Sequence, residues 1–227
     1  MSKIVKSLSV ALWSIICLCL SACSPQYSDF FPYHDDGTPK PHVALLPIYN
    51  ETQDIVPWDV SQELTNALYA QLMKSGKLFL PTPKKLQQEM EHVTKKELTV
   101  SQNLTPFLCF QPQHFVVVLE LIENKIIPYE RGTIKPLYMA AVEPEDASVL
   151  CMKVRMKIVD IRGGQPKIIR QEIINSNHMF ENKSIAESIV AHEDRKNYGL
   201  TAFAVAHTRL VRELAEKIER VTSNSRP

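Results

Sequence analysis

The sequence has little glycine and none of the common catalytic or nucleotide-binding motifs. Its 227 residues include six glycines, so glycine-rich loops that cradle phosphates have little material. No Gly-x-Ser-x-Gly nucleophile motif, phosphate-binding loop or Cys-x-x-Cys metal motif occurs. These absences argue against a nucleotide-dependent enzyme, a serine hydrolase and a zinc-binding module.

The seven histidines do not form a metal-binding motif; they are His34, His42, His92, His114, His178, His192 and His207. His192-Glu193 begins like the zinc-protease motif, but Lys196 stands where the second histidine is required. His207 lies beside an apolar stripe, and we expect a hydrogen-bonded core histidine there rather than a ligand. We therefore expect a protein without catalytic residues, metal or cofactor; an enzyme with an unrecognised site is the third hypothesis.

The net charge is close to zero. Removing Lys3 and Lys6 with the N-terminal segment leaves 24 basic and 25 acidic side chains, a formal net charge of −1. Such a chain has no overall field to attract nucleic acid, so we expect no nucleic-acid partner. No small-molecule substrate is predicted either.

The N-terminus carries a processing signal. Lys3 and Lys6 precede a mostly apolar run of 13 residues, 8–20, which is shorter than the ~20 residues of a membrane-spanning helix. The tetrapeptide Leu20-Ser21-Ala22-Cys23 then resembles the bacterial lipobox. That resemblance implies that residues 1–22 are a signal peptide and that Cys23 is acylated on its thiol and its new amino group. Ser24 after the cysteine implies the outer rather than the inner membrane. The alternative is an ordinary secretory signal with a cysteine near its cleavage site.

The segment after the cysteine is expected to be a tether. Residues 24–41 contain four prolines and little periodicity, so we assign residues 23–41 to a lipidated tether, 42–223 to one domain and 224–227 to a disordered tail. Two further cysteines, Cys109 and Cys151, could pair in an oxidising compartment. Buried free thiols are the preferred interpretation.

The remaining pattern predicts an α+β domain. Apolar runs predict strands at residues 42–48, 78–80, 114–122 and 149–161, the third covered on both faces. Apolar spacing of three and four predicts long helices from Pro57 to Gly76 and over 198–222, with a polar helix at 84–93. Residues 125–146 are expected to be irregular. We predict two layers: a mixed, mostly antiparallel sheet of about five strands with two long helices packed on one face.

The strand at 149–161 belongs to a predicted hairpin. Gly163-Gly164 as a two-residue loop would place Ile158 opposite Ile169, Val154 opposite Ile173 and Arg155 opposite Glu172. Its outward face would then carry Lys153, Arg155, Lys157 and Arg170. This face is either a solvated sheet surface or a docking patch for a partner.

Residues 42–82 resemble a group of envelope domains. A strand ending in Pro47, the polar turn Asn50-Glu51-Thr52 and a helix ending in Lys74-Ser75-Gly76-Lys77 are similar to the penicillin-binding-protein activator LpoB, the curli secretion lipoprotein CsgG and the TolB N-terminal domain. The resemblance implies a periplasm-facing, lipid-anchored binding or regulatory module for peptidoglycan synthesis or a secretion or assembly complex, with an envelope protein as partner. The alternative that it implies is a structural subunit of an outer-membrane oligomer or secretion channel.

Overall fold

The computed structural model describes residues 32–53, 55–129, 146–194 and 197–225. Five strands and five helices run through this part of the chain. The strands are β1 (Val43–Leu45), β2 (Tyr49–Asn50), β3 (Phe115–Pro128), β4 (Ala147–Asp160) and β5 (Lys167–Glu181). The helices are α1 (Val60–Ser75), α2 (Pro83–Met90), α3 (Lys95–Thr99), α4 (Lys183–Glu193) and α5 (Ala202–Asn224). Three 3₁₀ turns lie at Thr105–Phe110, Arg162–Gly164 and Tyr198–Leu200.

The strands form one mixed sheet in the order β1-β3-β4-β5, and β2 pairs with β3 beyond β1. Strands β1 and β2 run parallel to β3, whereas β3, β4 and β5 are mutually antiparallel neighbours. The predicted α+β fold with a five-stranded mixed sheet is confirmed.

The two long helices pack on one face of this sheet. The Asp59 side chain accepts a hydrogen bond from Gln62 N and starts α1, and Gly76 ends it with a φ of 66°. The apolar stripes predicted for α1 and α5 lie in one core with the inward side chains of β3 and β4. Burial of these stripes is the main term that holds both helices on the sheet.

A second, smaller core lies on the opposite face. Here α2, α3 and the turn Thr105–Phe110 cover the start of β3, and Leu86, Leu98, Phe107 and Phe110 contact Val116 and Val118. Strand β3 is therefore covered on both faces, as its continuous apolar run predicts. The short helices add a partial third layer that the two-layer prediction did not include.

Two predicted segments differ from the structure. Residues 78–80 do not form a strand, because only Phe79 makes a bridge, to His42. The first and last residues of the segment expected to be irregular, 125–146, are ordered: β3 extends to Pro128, where Lys125 pairs with Cys151 of β4. Residues 130–145 lie outside the described part of the chain.

The β4–β5 register is shifted by a bulge. Val159 and Asp160 pair with Ile168 and Lys167, as the loop at Gly163-Gly164 predicts. At Ile169 an extra residue then enters β5, so Ile158 lies opposite Arg170 and Arg155 opposite Ile173. The predicted pairing of Arg155 with Glu172 is therefore wrong, since each later pair is displaced by one residue.

The end of the predicted tether folds onto the domain. Tyr33 bridges to Pro39, and Lys40 N donates to Pro32 O at 2.7 Å. Residues 32–41 therefore form a small hairpin loop, which we call the N-terminal hairpin. It brings residue 32 close to the domain surface.

Candidate functional site

A cluster of polar and aromatic side chains surrounds Glu63 in α1. The Trp58 indole N–H donates to Oε2 at 2.7 Å, and the Tyr198 hydroxyl donates to Oε1 at 3.0 Å. His207 Nδ1 lies 2.9 Å from Oε1. The three partners come from the loop before α1, the turn before α5 and α5 itself. The carboxylate therefore ties three separate segments together, and we call this group the Glu63 cluster.

The local sequence positions each member of the cluster. Capping by Asp59 puts Glu63 in the first turn of α1, where the helix dipole favours a negative charge. The Trp58 ring stacks on His192 of α4, with ring centroids 3.9 Å apart and planes 8° from parallel. This stacking connects α4 to the same cluster.

The electrostatics favour an ionised Glu63. Burial alone would raise the pKa of its carboxyl, but the hydrogen bond and charge of His207, with the bonds from Trp58 and Tyr198, lower this pKa overall. Burial, reinforced by the Glu63 charge, raises the pKa of Tyr198. Both carboxylate oxygens accept hydrogen bonds, so the group acts as a structural tie between segments.

The two histidines beside this core are buried and bonded. His207 is 3% exposed, which confirms the predicted hydrogen-bonded core histidine, and its Nε2 has no hydrogen-bond partner. His178 of β5 lies 2.7 Å from Ser176 Oγ through Nε2. Burial, and then the charges of Arg209 and His207, lower the pKa of His178 to about 4.

The predicted docking patch is divided between two faces of the sheet. Three of its cations share the face opposite the long helices. Lys153 Nζ lies 2.6 Å from Glu123, and Arg155 Nη1 lies 3.2 Å from Glu120 on the neighbouring strand. Lys157 is 4% exposed, and its ammonium donates to main-chain oxygens at the end of α3.

Arg170 does not join these three side chains. It lies opposite Ile158 and therefore on the face of the long helices, where it donates to Glu172 at 2.7 Å. Lys217 of α5 approaches the other oxygen of Glu172 at 3.3 Å. The bulge at Ile169 explains this placement.

A groove of about 500 Å³ runs between α1 and α2. Its walls are mainly apolar, with Leu45, Pro47, Tyr69, Leu86 and Met90, and the amides of Gln62, Asn66 and Gln87 lie among them. Its size is within the range of ligand sites.

The cysteines are placed as follows. Cys23 and the signal segment lie outside the described residues. Cys109 and Cys151 are both free, as preferred from the sequence, and burial raises the pKa of each thiol. Within residues 32–225, leaving aside the gaps given above, no group of His, Cys, Asp or Glu could hold a metal ion. No described helix is long and apolar enough to span a bilayer.

Solved structures share this fold. The hypothetical protein CT253 from Chlamydia trachomatis is 22% identical, with a TM-score of 0.60, over 81% of this chain and 98% of its own. The lipoprotein GNA1162 from Neisseria meningitidis is 11% identical, with a TM-score of 0.42, over 68% of this chain and 96% of its own. A minor lipoprotein from Acinetobacter baumannii is 10% identical, with a TM-score of 0.37, over 79% and 92% of the two chains.

No curated protein matches the sequence. A family does match, and it covers residues 29–225, which is nearly all of the described domain. The chain belongs to DUF7499, a family of unknown function.

Proposed function

We propose that this chain is a lipid-anchored envelope protein that works by binding and regulates or scaffolds peptidoglycan synthesis or a secretion or assembly complex. The observation that carries the proposal is Leu20-Ser21-Ala22-Cys23, placed at the end of a signal-length apolar run and just before an α+β domain. Two or more acyl chains on Cys23 make the attachment stable, where a single chain would be marginal. The outer membrane is the proposed location.

Labelled palmitate tests the anchor. The unchanged chain and a Cys19→Ala control, altered within the leader, should both incorporate label, and Cys23→Ala should not. Incorporation into Cys23→Ala would remove Cys23 as the attachment site. Density-gradient separation of the membranes then tests the location, since recovery with the inner membrane would overturn the outer-membrane assignment.

Crosslinking in intact envelopes tests the partner surface. The proposed surface is the part of the patch that stays on one face and reaches solvent, Lys153 and Arg155, with side chains 42% and 38% exposed. A photoreactive residue at position 153 should capture an envelope protein, and one at Lys84 of α2 should not. Equal or absent capture at both positions would make this face a solvated sheet surface.

The edge of the sheet favours a second candidate function, a structural subunit of an oligomer. Within the described residues no strand pairs with the outer edge of β5, and Ile173 on this strand is 53% exposed. An unpaired strand edge is a template for pairing with another chain. Light scattering of the unlipidated chain tests it: an oligomer that Ile173→Lys converts to monomer supports this candidate, and a monomer throughout removes it.

A further inference from the structure

A cleft of about 440 Å³ lies where the N-terminal hairpin meets the end of α5. Its lining includes Lys40 and Pro41 from the hairpin, His114 and Phe115 at the start of β3, and Arg162 from the turn between β4 and β5. Thr222 and Ser225 close it on the side of α5.

Lys40 is the unusual group in this cleft. The residue is 7% exposed, yet its ammonium has neither a carboxylate nor a hydrogen-bond acceptor among the described residues. A buried cation without a partner is unfavourable, because it loses hydration and gains no attraction in return. The residue thus provides an uncompensated positive charge at the cleft.

The neighbouring groups add donors of the same kind. Arg162 uses Nε and Nη2 for Asp160, and its guanidinium carbon lies 4.7 Å from the Phe115 ring centre, so Nη1 remains available. His114 accepts the His42 N–H through Nδ1 at 3.3 Å, which places the proton of the neutral ring on Nε2. An ammonium, a guanidinium and an imidazole N–H suit the oxygens of a phosphate group.

The negative groups around the cleft are largely compensated. Asp160 is paired with Arg162. The last carbonyls of α5 would repel an anion, but Thr222 and Ser225 donate their hydroxyl protons to Ile218 O and Val221 O. Asp35 and Asp36 are exposed on the hairpin, and Asp36 accepts bonds from Thr38.

The position of the cleft indicates which phosphate is available. Lys40 N is bonded to Pro32 O, and Pro32 follows Cys23 by nine positions. Nine extended residues span at most about 30 Å. An acyl chain on Cys23 would therefore keep this side of the domain near the headgroup layer.

We propose that the cleft binds the phosphate group of an anionic phospholipid headgroup, with Lys40 as the principal contact and Arg162 and His114 beside it. The inference rests on the proposed lipid anchoring for its choice of a lipid rather than a free phosphate. Such a contact would orient the domain, with the N-terminal hairpin towards the bilayer and α2 and α3 exposed to partners.

Vesicle binding tests the proposal without acylation. The chain from residue 23 onward, carrying Cys23→Ser, is mixed with vesicles of phosphatidylcholine alone or with phosphatidylglycerol. We expect sedimentation with the anionic vesicles only, weakened about fivefold by Lys40→Gln. Lys96→Gln on exposed α3 is the matched control and should bind as the unchanged chain does. Equal binding by the two variants would overturn the proposal.

Two further measurements keep the result interpretable. Lys40→Arg keeps the charge and should keep the binding, and acetylation of the unchanged chain should show Lys40 protected by anionic vesicles only. Calorimetry with inorganic phosphate covers the other source: phosphate binding without vesicle binding would overturn the choice of a lipid. Since the protein in these assays carries no acyl chain, the outcome is separate from the palmitate test of Cys23.

Discussion

Lys157 of β4 reaches across the sheet to the end of α3, where its Nζ lies 2.8 Å from Thr99 O and 3.0 Å from Leu98 O. Burial lowers the pKa of this ammonium, but the two carbonyl oxygens satisfy its protons at the negative end of a helix. The side chain therefore holds α3 against the sheet and is not available to a partner.

Replacement of Lys157 should accordingly affect stability. Lys157→Glu would bury a carboxylate against helix carbonyls, and we expect a loss of about 3 kcal/mol or more in the free energy of unfolding. Lys153→Glu, on the same face but exposed, should change urea unfolding little. Similar midpoints for the two variants would contradict a structural role for Lys157.

The Glu63 cluster predicts a graded series. Glu63→Ala leaves the donors of Trp58, Tyr198 and His207 without an acceptor, and we expect a loss of about 2–4 kcal/mol in urea unfolding. Tyr198→Phe removes one donor and should cost about 1 kcal/mol. Glu213→Ala, on the exposed side of α5, is the control. A double-mutant cycle of Glu63 with His207 should show coupling, and strict additivity would mean that the two do not interact.

His178 predicts a loss of stability on acidification. Its pKa lies at about 4 in the folded chain against 6.5 for an ordinary histidine, so between these values the unfolded chain binds a proton that the folded chain does not. Stability should therefore fall as pH decreases from 6.5 to 4, by up to about 3 kcal/mol from this residue.

Urea unfolding at several pH values measures this slope. His178→Gln can keep a bond to Ser176 without titrating, and it should reduce the slope. Some slope should remain, because burial also lowers the pKa of His42 and His114. An unchanged slope in His178→Gln would show that this histidine does not contribute.

The two thiols should be unreactive in the folded chain. Burial comes first among the causes that raise both pKa values, and the charge of Glu89 adds to it at Cys109. We expect a thiol reagent to modify half-buried Cys109 before Cys151, and Cys151 only when the chain unfolds. Peptide mass spectrometry over a urea series measures this order. Rapid labelling of native Cys151 would contradict its burial.

The sequence was sufficient for elements with strong periodicity. The stripes of α1 and α5, the glycine that ends α1 and the apolar run of β3 each follow from residues close together in the chain. The bulge at Ile169 does not, because an extra residue leaves the alternation of β4 unchanged and alters only which residues of β5 lie opposite. As a result, Arg170 was assigned to the wrong face.

The Glu63 cluster was predicted only in part. His207 was expected to be a bonded core histidine, but its partner lies 144 positions away, so no local pattern indicates it. One weak signal was present: Glu63 follows Val60 by three positions and therefore sits beside the apolar face of α1. Lys40 was assigned to the tether, since the hairpin that buries it depends on contacts of Tyr33 and Pro32.

The uneven covering of the sheet has a consequence for local opening. Strand β3 has neighbouring strands on both edges and packed side chains on both faces, whereas the first half of β5 has one neighbour and mostly exposed side chains. Backbone amides of Val116 to Leu119 should exchange with deuterium only when the whole domain unfolds. Those near Ile173 should exchange through fraying of the sheet margin, which would place the least protected backbone along the margin where a second chain could add.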